Sequence, residues 1–325
     1  MKKLFIIIVS VLLLLPALGC TEPSEKVLLV FSYHPEYSWV VDETRGVDDI
    51  LKDRGLEIGK FYLDTKRNTS AEWKEKVAEE AVKKIEEFKP DLVIVFDDNA
   101  CELVAKKYIG KSLPFVFCGM NGEPEDYGFP AQNITGVIER HHLEATVNLL
   151  NRLVPDVEKL AIITDNSPTS QAFITSMTKI KPPIEISEFY ATNDFDAWKA
   201  KVKELQPKVD AIGIYVYHTI KEKGRETSLP PDDVLEWTLE NSRLPDFTFS
   251  DFTVSDGVLC GVTVSGYEQG RAAAEIAVRI LNGEKPVDIH IECPEKGTPM
   301  VNETRAKELN IEIQTDVLKE VEILP

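Results

Sequence analysis

The chain has 325 residues, 43% of them hydrophobic and 28% charged, with 55 acidic against 37 basic side chains and a formal charge of −18. That length exceeds one ordinary core of about 100–150 residues and predicts two lobes. A surface this acidic repels phosphate backbones and argues against nucleic acid as a partner.

The first twenty residues, MKKLFIIIVSVLLLLPALGC, carry two lysines and then an apolar run from Leu4 to Leu15 broken only by Ser10. The run falls short of the roughly 20 residues of a bilayer span and has the layout of an export signal. Ala17-Leu18-Gly19-Cys20 is similar to a bacterial lipobox, with Ala17 where leucine is commonest. It predicts cleavage before Cys20, lipidation of that cysteine, and an extracytoplasmic protein anchored to the cell membrane by its N-terminal lipid. The alternative is an ordinary cleaved signal with an incidental cysteine. Residues 21–26, TEPSEK, read as a polar tether. Beyond Cys20 lie Cys101, Cys118, Cys260 and Cys293, which in an exported chain allow two disulfides in three pairings. With no CxxC present, neither a redox nor a zinc site is expected.

Val27 to Phe31 is a branched apolar run typical of a buried strand, and it opens into SYHPEYSW, a stretch rich in rings. DETRGVDDILKDRG reads as a helix closing at Gly55, IGKFYLD as a strand, and SAEWKEKVAEEAVKKIEEFKP as a helix capped by Ser70 and stopped by Pro90. The strand DLVIVFDD, the helix NACELVAKKYIG and the strand LPFVFCGMN follow. The same rhythm then restarts, with helices HLEATVNLLNRLVPDV, SPTSQAFITSMTKI, DFDAWKAKVKELQP and PDDVLEWTLENS among strands KLAIITD, IEISEFYA, DAIGIYVYH, DFTFSDF and GVLCGVTV. Alternation of this kind predicts an α/β fold of two doubly wound parallel-sheet lobes with a groove between them. The last strong helix, alanine-rich at its start, lies in SGYEQGRAAAEIAVRILNGEKP, residues 265–286.

Taken in order, SYHPEYSW, PFVFCGMN, NITGVIER, ITDNSPTS, GYEQGRAAAEIAVRILNGEKP and MVNETRAKELNI resemble the solute-binding proteins of ABC transporters with the type 1 periplasmic-binding fold. The nearest branch has members that bind tryptophan, tyrosine or phenylalanine. The resemblance spans nearly the whole mature chain. It implies three hinge crossings, near Asn133 to Arg140, Gly261 to Ser265 and Pro286 to Met300. Residues 27–135 plus 265–286 would then form an N-terminal lobe, and 136–264 plus 287–325 a C-terminal one. It also implies a membrane permease as the partner that recognises the closed form.

Ligands of doubly wound sheets bind outside the carboxyl ends of the strands. Four loop regions qualify. The first is 32–39, where Ser32, Tyr33 and Trp39 offer a hydroxyl and rings that stack on a planar solute; the alternative is that Tyr37 and Trp39 pack beneath the following helix. Asp97, Asp98 and Asn99 stand at a strand-to-helix junction, one as helix cap and another free to receive an ammonium group. Cys118 to Gly122 offers Gly119 for close backbone approach and the amide of Asn121. In the second lobe Asp165, Asn166, Ser167 and Ser170 surround a helix start at Pro168, whose several free N–H groups suit a carboxylate. Tyr217, His218 and Asp251 complete the set; alternation puts Tyr215 and Tyr217 on one face of their strand, and the later one, Tyr217, is expected to reach the groove.

Rings, acids and a helix end complement a zwitterion with a flat side chain, so the expected ligand is an aromatic or related amino acid, bound without cofactor or metal by a monomer. No GxSxG, Walker loop or HExxH appears, which argues against catalysis. His141-His142 with Glu144 is a weak metal pattern, because neighbours on a helix point about 100° apart. The rival to uptake is an extracytoplasmic sensor that presents its ligand to a signalling receptor.

Overall fold

The computed structural model describes residues 24–180, 184–294 and 297–325, so the expected export signal and Cys20 lie outside the described residues. The first sheet contains β1 (Lys26–Phe31), β2 (Glu57–Tyr62), β3 (Leu92–Phe96), β4 (Phe115–Met120) and β5 (Ile134–Ile138), in the order β2-β1-β3-β4-β5. All its pairs are parallel. Every residue of β3 and β4 is buried, as a parallel sheet covered on both faces requires. Helices α1 (Ser38–Leu51), α2 (Ala71–Phe88) and α3 (Asp97–Leu103) link its strands. Ser70 caps α2, accepting from Trp73 N at 3.1 Å.

The second lobe follows through α4 (Leu143–Leu153), β6 (Lys159–Thr164), α5 (Pro168–Met177), β7 (Glu185–Ala191), α6 (Phe195–Leu205), β8 (Ala211–Ile214), α7 (Pro231–Asn241), β9 (Asp246–Phe247), α8 (Asp251–Ser255) and β10 (Cys260–Thr263). After α9 (Gly266–Leu281) come β11 (Thr298–Asn302), α10 (Glu303–Glu308) and β12 (Glu322–Leu324). This sheet runs β12-β11-β10-β9-β8-β6-β7. Its β10–β11 pair is antiparallel, a departure from the all-parallel sheet expected, because the chain re-enters from the other lobe beside the strand by which it left.

Helix α9 returns to the first lobe and lies directly on α1. A Cβ at Gly46 would overlap the Tyr267 carbonyl oxygen, and one at Gly270 would overlap that of Glu43, so only glycine lets the two backbones approach. The apolar face of α9 then joins Val27, Leu29 and Phe31 in one core. Three crossings connect the lobes: between Ile138 and Leu143, between Thr263 and Gly266, and between Glu292 and Thr298. The last comes late, because Ile289 O accepts from Thr135 Oγ1 and Glu292 O from Ile138 N, both at 2.9 Å, along the edge of β5.

Cys101, Cys118 and Cys260 are buried thiols without disulfide bonds, so the two bridges that the cysteine count allows are not formed. Among the described residues no helix is long and apolar enough to cross a membrane.

Candidate functional site

The carboxyl ends of β1 to β4 face the start of α5 and the segment after β8, and the lobes touch there. Tyr33 Oη and Thr169 Oγ1 are 2.8 Å apart, and Tyr215 Oη donates to Asn121 Oδ1 at 3.3 Å. Tyr37 packs on His218 with ring centroids 4.6 Å apart and edge-on to Phe252 at 5.6 Å. Further out, Lys221 Nζ donates to Thr69 Oγ1 at 2.7 Å, Ser228 Oγ to the Lys66 carbonyl at 2.7 Å, and Lys179 pairs with Glu123 at 3.0 Å. The rings after β1 therefore meet the second lobe. Only the end of their stretch is helical, α1 beginning at Ser38.

A cavity of about 130 Å³ lies at this seam. Tyr33, Thr65, Lys66, Thr69, Lys74 and Asn99 line it from the first lobe; Asn166, Ser167, Pro168, Thr169, Asn193 and Thr219 line it from the second. A second hollow of about 520 Å³ continues it past Asp98, Asn121, Gly122 and Tyr127 on one side and Gln171, Ala172 and Thr175 on the other. The inner cavity is smaller than the roughly 300–1,000 Å³ of most ligand pockets, so a solute needs the lobes to part before it enters. A larger hollow of about 980 Å³ lies within the second lobe, among α7, α8 and α10, and has no wall from the first.

Of the residues expected at the site, Tyr33, Asn99, Asn166 and Ser167 line the inner cavity, and Asp98, Asn99 and Asn121 the outer. Asn99 Nδ2 donates to Thr65 Oγ1 at 3.0 Å. Asn121 is held by Glu139, whose Oε2 accepts from its Nδ2 at 3.0 Å. His218 touches the first lobe through Tyr37; burial first, and then Lys66, hold its imidazole well below the ordinary range and thus neutral.

Other residues have structural tasks instead. Ser32 Oγ accepts from Ala100 N at 2.8 Å and so caps α3, the role expected of Asp97, Asp98 or Asn99. Asp98 accepts from Gly122 N at 2.9 Å, Tyr127 Oη at 2.8 Å and Asn121 N at 3.2 Å, pinning the loop after β4 and leaving little capacity for an ammonium. Asp97 adopts a left-handed φ of 62°, which folds its carboxyl back to accept from Trp39 Nε1 at 3.1 Å. Trp39 is thereby turned inward on α1, its second expected alternative. A Cβ at Gly119 would meet Glu43 Oε1 and Asp97 Oδ1, at 3.1 and 3.2 Å. Glu43 is wholly buried with both oxygens unpartnered, and burial, Asp97 and Glu139 push its carboxyl well above the usual range.

Around α5, Asp165 Oδ1 accepts from Ser170 Oγ at 2.7 Å and Ser167 N at 3.1 Å, and its Oδ2 from Thr219 N at 3.0 Å. Ser167 caps the helix. Pro168 has no N–H, Ser170 N is taken by Ser167 Oγ and Gln171 N by Ser167 O, which leaves Thr169 N rather than several free groups. Tyr217 sits in the core with Trp198 and Val234, while Tyr215 reaches the seam. The earlier tyrosine, not the later one, reaches the seam, because β8 ends at Ile214 and both lie beyond regular strand alternation. Asp251 begins α8 and accepts from its own neighbour Phe252 N at 2.8 Å; burial raises its carboxyl to about 6. His141 Nε2 lies 3.0 Å from Glu139 Oε1.

The residue that sequence reasoning missed is Lys66. It sits in DTKRNTS after β2, another carboxyl strand end of the same sheet, so the rule that selected the other loops also pointed to it. Only 2% of it is exposed, and its Nζ stands 4.4 Å from the centre of the Tyr33 ring.

Two α/β lobes joined by three crossings, with a cavity at their seam, have the type 1 periplasmic-binding fold. Residues 29–323 match the family described as ABC transporter substrate binding protein, and the chain belongs to that family. None of the curated proteins matches it. Among solved structures it is similar to an ABC domain from Streptococcus pneumonia in complex with L-Trp, with 19% identity, TM-score 0.72, and 93% of this chain and 100% of the other covered. A conserved domain protein from Vibrio cholerae gives 17% identity and TM-score 0.72 over the same shares. A ligand-free, open substrate binding protein from Clostridium difficile gives 16% identity and TM-score 0.65, covering 92% of this chain and 99% of the other.

Proposed function

We propose that this chain is an extracytoplasmic solute-binding lipoprotein of an ABC uptake system, held at the membrane through Cys20, which closes as a monomer on an aromatic or related amino acid and delivers it to a permease. The observation that carries this reading is the Tyr33–Thr169 contact beside a cavity walled by both lobes, which opening would break. Each lobe supplies half of the lining, so a bound solute stabilises the closed arrangement by contacts available only there. The similar Streptococcus domain, whose structure contains L-Trp, supports the ligand class. The N-terminal twenty residues support export and anchoring. The residues proposed to face the ligand are Tyr33, Asn99, Asn166 and Ser167 from the expected set, joined by Lys66, Thr65 and Thr169.

Thermal-shift screening of the mature protein against amino acids, peptides, nucleosides and sugars tests it. A ligand at 100 times its Kd stabilises by about 2.7 kcal/mol. Tryptophan, tyrosine or phenylalanine is expected to raise the Tm. A response confined to sugars or nucleosides overturns the ligand class, and no response in any class overturns the binding function.

A further inference from the structure

The geometry points to an anionic ligand whose acid group is received by Lys66, inside the cleft proposed above as the solute site. In a chain with 55 acidic and 37 basic residues, the inner cavity is lined by two lysines, Lys66 and Lys74, and by no carboxylate. Lys66 is 2% exposed and enters no ion pair among the described residues; its ammonium rests over the rings of Tyr33 and Tyr37, at 4.4 and 5.5 Å. Lys74 is half-buried and likewise without an ion pair among the described residues. Burial lowers the Lys66 ammonium from its ordinary value, against the pull of Asp165, Asp97, Glu139 and Asp98. Asp165 and Asp98 are each engaged by three donors, Asp97 holds Trp39, and Glu139 holds Asn121 and faces His141. An ammonium removed from water needs a counter-ion close by. The ligand is the group positioned to supply one.

The second lobe brings complementary donors to the same place. The N-terminus of α5 faces the cavity with Thr169 N, while Thr169 Oγ1 is shared with Tyr33 and Ser167 Oγ with Ser170. An acid group set between Lys66 and Thr169 would bridge the lobes and complete the closed form. The inner cavity offers no carboxylate, and Asp98, Glu102, Glu123 and Asp126 line only the outer hollow, so the ligand's acid group is received at the inner end.

The test compares L-tryptophan, indole-3-lactate, tryptamine and a panel of other small carboxylates and neutral sugars by calorimetric titration, on the wild type, Lys66→Met and Lys66→Arg. The inference predicts binding of compounds that carry a carboxylate, including indole-3-lactate, and none of tryptamine. Lys66→Met is expected to weaken carboxylate binding about tenfold or more, with Lys66→Arg retaining part of it. The ligand-free Lys66→Met protein is expected to melt no lower than the wild type, since it loses an unpaired buried charge; a purely structural lysine would lower it. If the indoles fail while another carboxylate binds in a Lys66-dependent way, the aromatic reading falls and the anion site stands. If a neutral or cationic solute binds tightest and Lys66→Met binds it equally well, the anion site is overturned while the solute cleft stands. Should Lys66→Met not fold, tryptamine binding as tightly as L-tryptophan to the wild type overturns it alone.

Discussion

Replacing Tyr33 by Phe deletes one oxygen and leaves the ring in place. In the closed arrangement that oxygen lies 2.8 Å from Thr169 Oγ1, and both residues are buried. In an open one both hydroxyls meet water, so the net stabilisation at stake is about 0.5–1.5 kcal/mol. That corresponds to a fall of roughly 2- to 12-fold in the closed-to-open ratio, and to an equal rise in apparent Kd when the free protein is mostly open. Thr169→Val removes the other partner and should weaken binding by a similar factor. The assay is a double-mutant cycle by titration calorimetry with L-tryptophan: if the two oxygens act through each other, the double variant is no worse than the weaker single variant, with a coupling of about 0.5 kcal/mol or more. Strictly additive losses, or unchanged Kd in all three variants, would refute the seam contact as a part of closure.

Glu43→Gln should stabilise the protein at pH 8 by roughly 1–3 kcal/mol and leave it unchanged near pH 4. The folded chain holds a proton on Glu43 that the unfolded chain, at the ordinary 4.5, releases as pH rises. Equal Tm changes at both pH values would contradict this. His218 has the opposite sign. Buried and neutral, it favours the closed form above its ordinary value of 6.5, and this support is lost as pH falls, with Lys66 and His34 adding repulsion. Ligand affinity should drop several-fold from pH 7.5 to 5.5 in the wild type and stay flat in His218→Gln; parallel profiles would contradict it. Gly270→Ala drives a methyl into the Glu43 carbonyl and should cost about 1–3 kcal/mol, read as a lower Tm with the circular dichroism spectrum intact.

Much of the fold was legible in the chain because its signals are local. Alternating apolar runs and capped helices marked both sheets, and Ser70 acts as the cap its position announces. The late crossing at Glu292 and the antiparallel β11 depend on contacts between distant segments, which no local pattern carries. The same division runs through the site. Loops at carboxyl strand ends were recognisable, but the inward turn of Trp39 depends on the left-handed backbone of Asp97, and the exchange of Tyr215 for Tyr217 on where β8 stops. Lys66 resembled any solvated lysine in a polar loop. What distinguishes it is burial under the second lobe, which only the folded chain creates.

The most direct measurement of lobe closure is the distance between spin labels at Glu125 and Thr178, exposed positions on either side of the seam that Glu123 and Lys179 bridge at 3.0 Å. Saturating L-tryptophan should convert a broad, longer distribution into a single short one, matching the closed arrangement. An identical distribution with the site shown by calorimetry to be full would contradict closure on a ligand.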